Sequence, residues 1–217
     1  METGGEDVLV VVDVQRDFCR GGALAVEDGD AVVEPVNRLM ERFECVVLTQ
    51  DWHPAGHGSF AGMHAGRSAY ETVEMSYGRQ TLWPAHCVQG TPGAEFHPEL
   101  RVDRAQLMVR KGFRAGIDSY SAFRENDRQT ATGLAGYLRE RGLRRVFLAG
   151  LAYDFCVGYS ALDARELGLE AWVVTDACRS VGLAGSVAAM DRSLEQAGVG
   201  RVTVAELGAE LGAKLIG

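Results

Sequence analysis

The chain has 217 residues, 47% of them hydrophobic and 24% charged, with a formal net charge of −8. That is ample material for one domain with its own core, expected over residues 1–217. The acidic balance and the lack of a long Lys/Arg block exclude phosphate-backbone binding as the main activity, so no nucleic-acid partner is expected. The longest apolar run, Val8–Val12, is too short to cross a bilayer, and Met1–Asp7 is too polar and acidic for a secretory or transit signal. Five scattered cysteines without a Cys-x-x-Cys pair suit reduced thiols in a cytoplasmic protein, one of them open to reactivity.

In chain order, the continuous valines of Asp7–Val14 predict a buried strand. Asp30–Glu44 follows with Val33, Val36, Leu39, Met40 and Phe43 at helical spacing, then Cys45–Gln50 as a second strand. Asp51–Arg104 is rich in Gly, His and Pro and shows little periodicity. Gln106–Arg110 reads as the third strand, and irregular sequence extends from there to Gln129. A helix over Thr130–Arg141, a strand over Arg145–Gly150 and a helix opening near Cys156 come next. Strand Ala171–Asp176, helix Ser186–Ala197, strand Arg201–Val204 and a terminal helix complete the chain. Alternation of this kind predicts an α/β fold, a six-stranded parallel sheet flanked by helices on both faces. Ligands of such sheets sit outside the carboxyl ends of the strands.

Reactive residues gather at those ends. Asp13 closes the first strand, Asp51 and His53 follow the second, Lys111 the third, and Cys156 comes six residues after the fourth. A thiolate forms more readily at a helix start or beside a cation, and Cys156 has both within reach. A buried, inert thiol is the commoner fate of cysteine, so the partners decide. Asp13 would take and return the thiol proton, and Lys111 would favour the charged forms of both. Taken singly, these two would pass for a turn cap and a solvated lysine. The turn Ala152–Cys156 offers backbone N–H groups for an oxyanion.

All five histidines (His53, His57, His64, His86 and His97) lie in the loop after the second strand. Asp51-x-His53 with His86 further on suits Zn, Fe or Mn with open positions, whereas surface histidines in a polar loop are the plain alternative. His57 is either a fourth ligand or a neighbour of the ligands. Phe18, Trp83 and Tyr120 could wall a flat ring or merely anchor the loops. No G-x-S-x-G elbow, Walker A loop or G-x-G-x-x-G turn is present.

The stretches DVQRDFCRGGAL, TQDWHPAGHGSF, LWPAHCVQGTPGAEFHP, VRKGFRAGIDSYSAF and GLAYDFCVGYSALDA run in order from Asp13 to Asp163, and similarity continues through VVTDAC. Together they resemble the nicotinamidase/pyrazinamidase branch of the isochorismatase-like cysteine hydrolases. The resemblance implies an Asp13–Lys111–Cys156 triad and one divalent ion, zinc first with iron or manganese as alternatives, held by Asp51, His53 and His86. It implies that the substrate is nicotinamide, its ring nitrogen reaching the ion and its carboxamide meeting Cys156. Phe18, Trp83 and Tyr120 would line the ring, and a cis Leu151–Ala152 bond would turn the Ala152 N–H, with that of Cys156, towards the oxyanion. Tyr153 stands where smaller residues, often Thr or Val, are usual, which bears on pocket width and tolerance of substituted rings. Relatives acting on N-carbamoyl compounds or isochorismate share much of the sheet but lack the metal loop; a non-catalytic scaffold would lack the nucleophile. The resemblance places the activity in NAD salvage, extends it to pyrazinamide, and leaves a homo-oligomer open.

Overall fold

The computed structural model describes Met1 and residues 3–208; the rest of the expected terminal helix lies outside the described residues. The strands are β1 (Asp7–Val12), β2 (Cys45–Asp51), β3 (Thr72–Met75), β4 (Gly78–Thr81), β5 (Leu107–Lys111), β6 (Arg145–Leu151), β7 (Glu170–Arg179) and β8 (Gly200–Val202). The α-helices are α1 (Val33–Met40), α2 (Leu134–Glu140), α3 (Gly158–Glu166), α4 (Ser186–Gln196) and α5 (Val204–Gly208). Six strands form one sheet in the order β5-β2-β1-β6-β7-β8, every pairing parallel. The expected architecture is what the chain adopts. None of its helices is long and apolar enough to cross a membrane among the described residues.

Every residue of β1 is buried, which explains its unbroken apolar run. Its side chains divide by the period of two. Leu9 and Val11 join Val36, Leu39 and Met40 of α1 on one face, while Val8, Val10 and Val12 join α2, α3 and α4 through Leu138, Ala161 and Leu194 on the other. Each such buried aliphatic side chain contributes about 1.5–3 kcal/mol of transfer free energy, so the two faces together fix the sheet between its helices.

From β1 the chain winds outward one way to β2 and β5, then returns to add β6, β7 and β8 on the other side. The winding direction thus reverses between β1 and β6, where a crevice opens at the carboxyl edge. Gly150 lets the two strands close there: a Cβ at its φ of +118° would sit 2.2 Å from the Val12 carbonyl oxygen.

Several boundaries differ from expectation, each for a local reason. The segment expected as one helix over Asp30–Glu44 opens with a 3₁₀ turn at Gly29–Val32 before α1. Helix α2 begins only after Gly133, at φ +100°, because Thr132 Oγ1 donates to the Ala122 carbonyl at 2.6 Å and Thr130 Oγ1 donates to Asp127 Oδ2 at 2.6 Å. Those hydroxyls tie down the loop rather than continue a helix. The antiparallel hairpin β3–β4 lies inside sequence without a visible period; its strands are four residues each and largely exposed, so too few apolar positions alternate to show it.

Candidate active site

Strand β1 ends as Asp13 turns into the left-handed region at φ +48°, carrying its carboxylate into the crevice. Thr49 of β2 fixes one oxygen, donating its hydroxyl to Asp13 Oδ1 at 2.6 Å. Lys111, the last residue of β5 rather than the first beyond it, is buried with its ammonium 2.9 Å from Asp13 Oδ2. The same ammonium also donates to Asp51 Oδ1 at 2.5 Å, the Ser119 carbonyl at 2.8 Å and Cys156 Sγ at 3.4 Å. Asp13 Oδ2 is thus paired with the ammonium alone and has no other hydrogen-bond partner among the described residues. It is a buried acceptor beside the thiol. The sequence-predicted Asp13, Lys111 and Cys156 do come together.

Burial, reinforced by Asp51, pushes the Asp13 carboxyl up to about 6 against the pull of Lys111. Burial likewise opposes the Lys111 ammonium, but the flanking Asp13 and Asp51 outweigh it and hold its pKa well above the usual lysine range. Cys156 departs from expectation. Burial, with Asp13 and Asp51, drives its thiol well above the ordinary cysteine range although Lys111 opposes this. It does sit in the opening turn of a helix, fourth in a π-helical turn, Tyr153–Val157, that runs into α3. Lys111→Met should cost about 3–5 kcal/mol, because it leaves buried carboxylates uncompensated. Urea unfolding would show this as a lower midpoint at unchanged slope; a loss below about 1 kcal/mol would mean the cluster relaxes by taking up a proton.

The metal candidates are joined to this cluster through Asp51. Its Oδ1 takes Lys111, while its Oδ2 faces His53 Nε2 at 3.5 Å and His86 Nε2 at 3.9 Å. Backbone pairing explains how residues so far apart meet: the His53 N–H donates to the Cys87 carbonyl and the Gln89 N–H to the His53 carbonyl, aligning the two loop segments like strands. Each imidazole Nδ1 lies 2.8 Å from a backbone carbonyl, Gly112 for His53 and Pro84 for His86. A carbonyl only accepts, so each Nδ1 carries a hydrogen and each Nε2 is left facing the Asp51 oxygen as the atom that would bind an ion. Asp51 Oδ2 and the two Nε2 atoms thus converge in a buried set, at separations suited to ligands ~2 Å from a shared cation. The donor set fits a divalent ion. Burial and His53 push His86 down to about 4, so it is neutral as a ligand must be. Gly112, at φ +65°, makes room for this, since a Cβ there would lie 2.4 Å from His53 Cε1.

The remaining histidines are engaged elsewhere. The His57 ring packs at a tilt against His53, centroids 4.4 Å apart, but its nitrogens meet Ser59 Oγ at 2.7 Å and the Ile117 carbonyl at 3.3 Å. His64 bonds the Gly58 carbonyl. His97 accepts the Glu99 N–H at Nδ1, which turns its Nε2 hydrogen towards Asp30.

One cavity, enclosing about 340 Å³ with its mouth, is lined by Asp51, His53, His86, Ala152 and Cys156 together with Phe18, Trp83 and Tyr120. The aromatics brace one another: the Trp83 N–H donates to Tyr120 Oη at 3.3 Å, and Phe155 meets the Trp83 ring edge-on at 4.9 Å. Leu24, Asp118, Phe155 and Val181 also line it and are new relative to the sequence reading. Of these, Asp118 was accessible through its spacing, two residues before Tyr120 and so on the same side of an extended loop. Tyr153 lies outside the cavity; its hydroxyl donates to Asp191 Oδ1 at 2.5 Å on α4, so it does not set the width. The Leu151–Ala152 bond is cis, as the resemblance implies.

Residues 7–206 match the isochorismatase domain, and the chain belongs to that family. A nicotinamidase of Acinetobacter baylyi is 48% identical over 203 residues, covering 94% of this chain and 95% of its own. The solved nicotinamidase/pyrazinamidase of Acinetobacter baumanii superposes with a TM-score of 0.93 at 51% identity, covering 95% of this chain and 100% of that one. The pyrazinamidase of Pyrococcus horikoshii, solved in complex with zinc, gives 0.73 at 34% identity over 91% of this chain and 99% of that one.

Proposed function

We propose that this chain is a cysteine amidase hydrolysing nicotinamide to nicotinate and ammonia, and that it acts on pyrazinamide as well. One observation carries this: a single aromatic-walled cavity presents Cys156, with its Asp13–Lys111 pair, beside the Asp51/His53/His86 trio. The names of the high-identity relatives support the same substrate.

In this mechanism Asp13 Oδ2 takes the Cys156 proton as Sγ attacks the carboxamide carbon. A carboxyl titrating at about 6 suits that transfer near neutral pH. Lys111, 3.4 Å from Sγ, stabilises the sulfur's developing charge while keeping Asp13 oriented. The N–H groups of Ala152 and Cys156 hold the oxyanion. Asp13 then returns its proton to the amine, ammonia leaves, and a thioester stays on Cys156. A water deprotonated by Asp13 attacks the thioester, releasing nicotinate and restoring the thiol. Phe18, Trp83 and Tyr120 hold the ring flat during both halves. When bound by Asp51, His53 and His86, a divalent ion supplies a Lewis-acidic anchor and electron withdrawal. Zinc is the ion favoured by the donor set and by the zinc-bound relative, with iron or manganese as alternatives.

Five thiols without a disulfide suit the cytoplasm, where NAD salvage would use the product. The test is direct. Metal-loaded protein mixed with nicotinamide should release ammonia and nicotinate in equal amounts, and pyrazinamide should react likewise. Release no faster than in buffer would overturn the proposal.

A further inference from the structure

We infer that Asp154 is a positioning residue that fixes the Val181 wall of the cavity to the turn bearing Cys156, and so sets which substituted rings the cavity admits. This rests on the amidase proposal and adds a determinant of its specificity.

Asp154 is buried two residues before Cys156, yet its hydrogen bonds go elsewhere than to the Asp13–Lys111 pair. Its carboxylate reaches across to the segment joining β7 to α4. Oδ1 accepts the Val181 N–H at 2.8 Å; Oδ2 accepts the Gly182 N–H at 3.0 Å and the Ser186 hydroxyl at 2.5 Å. The segment has little else to hold it. Residues 180–185 have no helix or strand, Gly182, Ala184 and Gly185 are exposed, and only Val181 and Leu183 rest on the edge of the core. Gly182 and Gly185 both have positive φ, +75° and +79°, so the path is a turn that backbone contacts alone would not confine.

Charge and dipole favour the same arrangement. The N-cap of α4, Gly185, offers no side-chain cap, and the Asp154 carboxylate supplies an acceptor to the helix start from outside the helix. Tyr153, bonded to Asp191 one turn further along α4, anchors the same turn at a second point. The nucleophile and the Val181 wall are therefore registered to each other through one carboxylate. Val181 is the cavity residue contributed by this segment. Losing the three bonds should let the wall retreat while Cys156 keeps its place in the turn.

The experiment compares Asp154→Ala, Val181→Ala, Ser186→Ala and the Asp154→Ala/Val181→Ala double variant on nicotinamide and on nicotinamides methylated at ring positions 4, 5 or 6. Expected is a rise of about fivefold or more in kcat/KM for one methyl isomer relative to nicotinamide, in both Asp154→Ala and Val181→Ala, with little further gain in the double variant. Ser186→Ala, which keeps the carboxylate, should move the same isomer by less, and it carries the test if Asp154→Ala fails to fold. A common loss on every substrate, or multiplicative effects in the double variant, would reduce Asp154 to general support of the fold. Alkylation gives a readout independent of turnover. The rate at which N-phenylmaleimide labels Cys156, relative to iodoacetamide and located by peptide mass spectrometry, should rise in Asp154→Ala. An unmoved ratio refutes the wall assignment even if wild-type protein proves inactive on nicotinamide, an outcome that would count against the amidase proposal alone.

Discussion

Cys156→Ala is expected to lower kcat for nicotinamide by about 10⁴-fold or more while leaving the protein folded, because the thiol supplies the covalent step and little volume. The variant removes one sulfur from a buried turn, a change worth about 1 kcal/mol in a core that relaxes only partly. Stability and turnover should thus separate, and both are to be measured on the same preparation. The remaining cysteines make an internal control. Cys19, Cys45, Cys87 and Cys178 are also buried with raised thiol pKa values, burial being the first cause in each, but none lines the cavity. Their alanine variants should keep wild-type kinetics. Activity within tenfold of wild type in Cys156→Ala would remove the nucleophile assignment, and with it the thioester.

The ends of the sheet strands were legible because their interiors are so plain. Short apolar runs announce β1 and β2, and a carboxylate or imidazole directly after such a run has little reason to be there except at a crevice. Asp13, Asp51, His53 and Lys111 could be found that way. Burial was harder to read. Beside Lys111 and a helix start, a cysteine looks activated; once folded, desolvation and two neighbouring carboxylates outweigh the lysine and push the thiol pKa up. Nor does spacing reveal that Asp51 serves both halves of the site, since Lys111 reaches it only through the β2–β5 pairing that sets Asp51 opposite Lys111. Tyr153 shows the converse. A bulky residue three positions before the nucleophile suggests a narrowed pocket, yet the π-helical turn directs it onto α4 while Phe155 takes the cavity side. Such choices depend on the winding of one turn, which no hydrophobic period encodes.

His86→Ala and Asp51→Asn should fail differently, and the difference tests whether the metal trio positions the ring. His86 touches only the trio side of Asp51, so its loss should deplete bound divalent ion, read by elemental analysis, without disturbing Lys111. Nicotinamide turnover should then fall at least about tenfold, as removing groups from a metal shell does. The family resemblance has the substrate's ring nitrogen reach the ion. Benzamide lacks that nitrogen, so it should be a poor substrate of the metal-loaded protein and lose proportionately less in His86→Ala or after chelation. Asp51→Asn should be harsher. It withdraws a charge from the trio and from the Lys111 ammonium at once, leaving Asp13 as the nearest counter-charge of the lysine. Turnover of benzamide should therefore drop in Asp51→Asn although it largely survives in His86→Ala. Full activity in metal-free protein would refute the metal site. Equal proportional losses of nicotinamide and benzamide in His86→Ala would make the ion a brace for the loop, with the ring held by Phe18, Trp83 and Tyr120 alone.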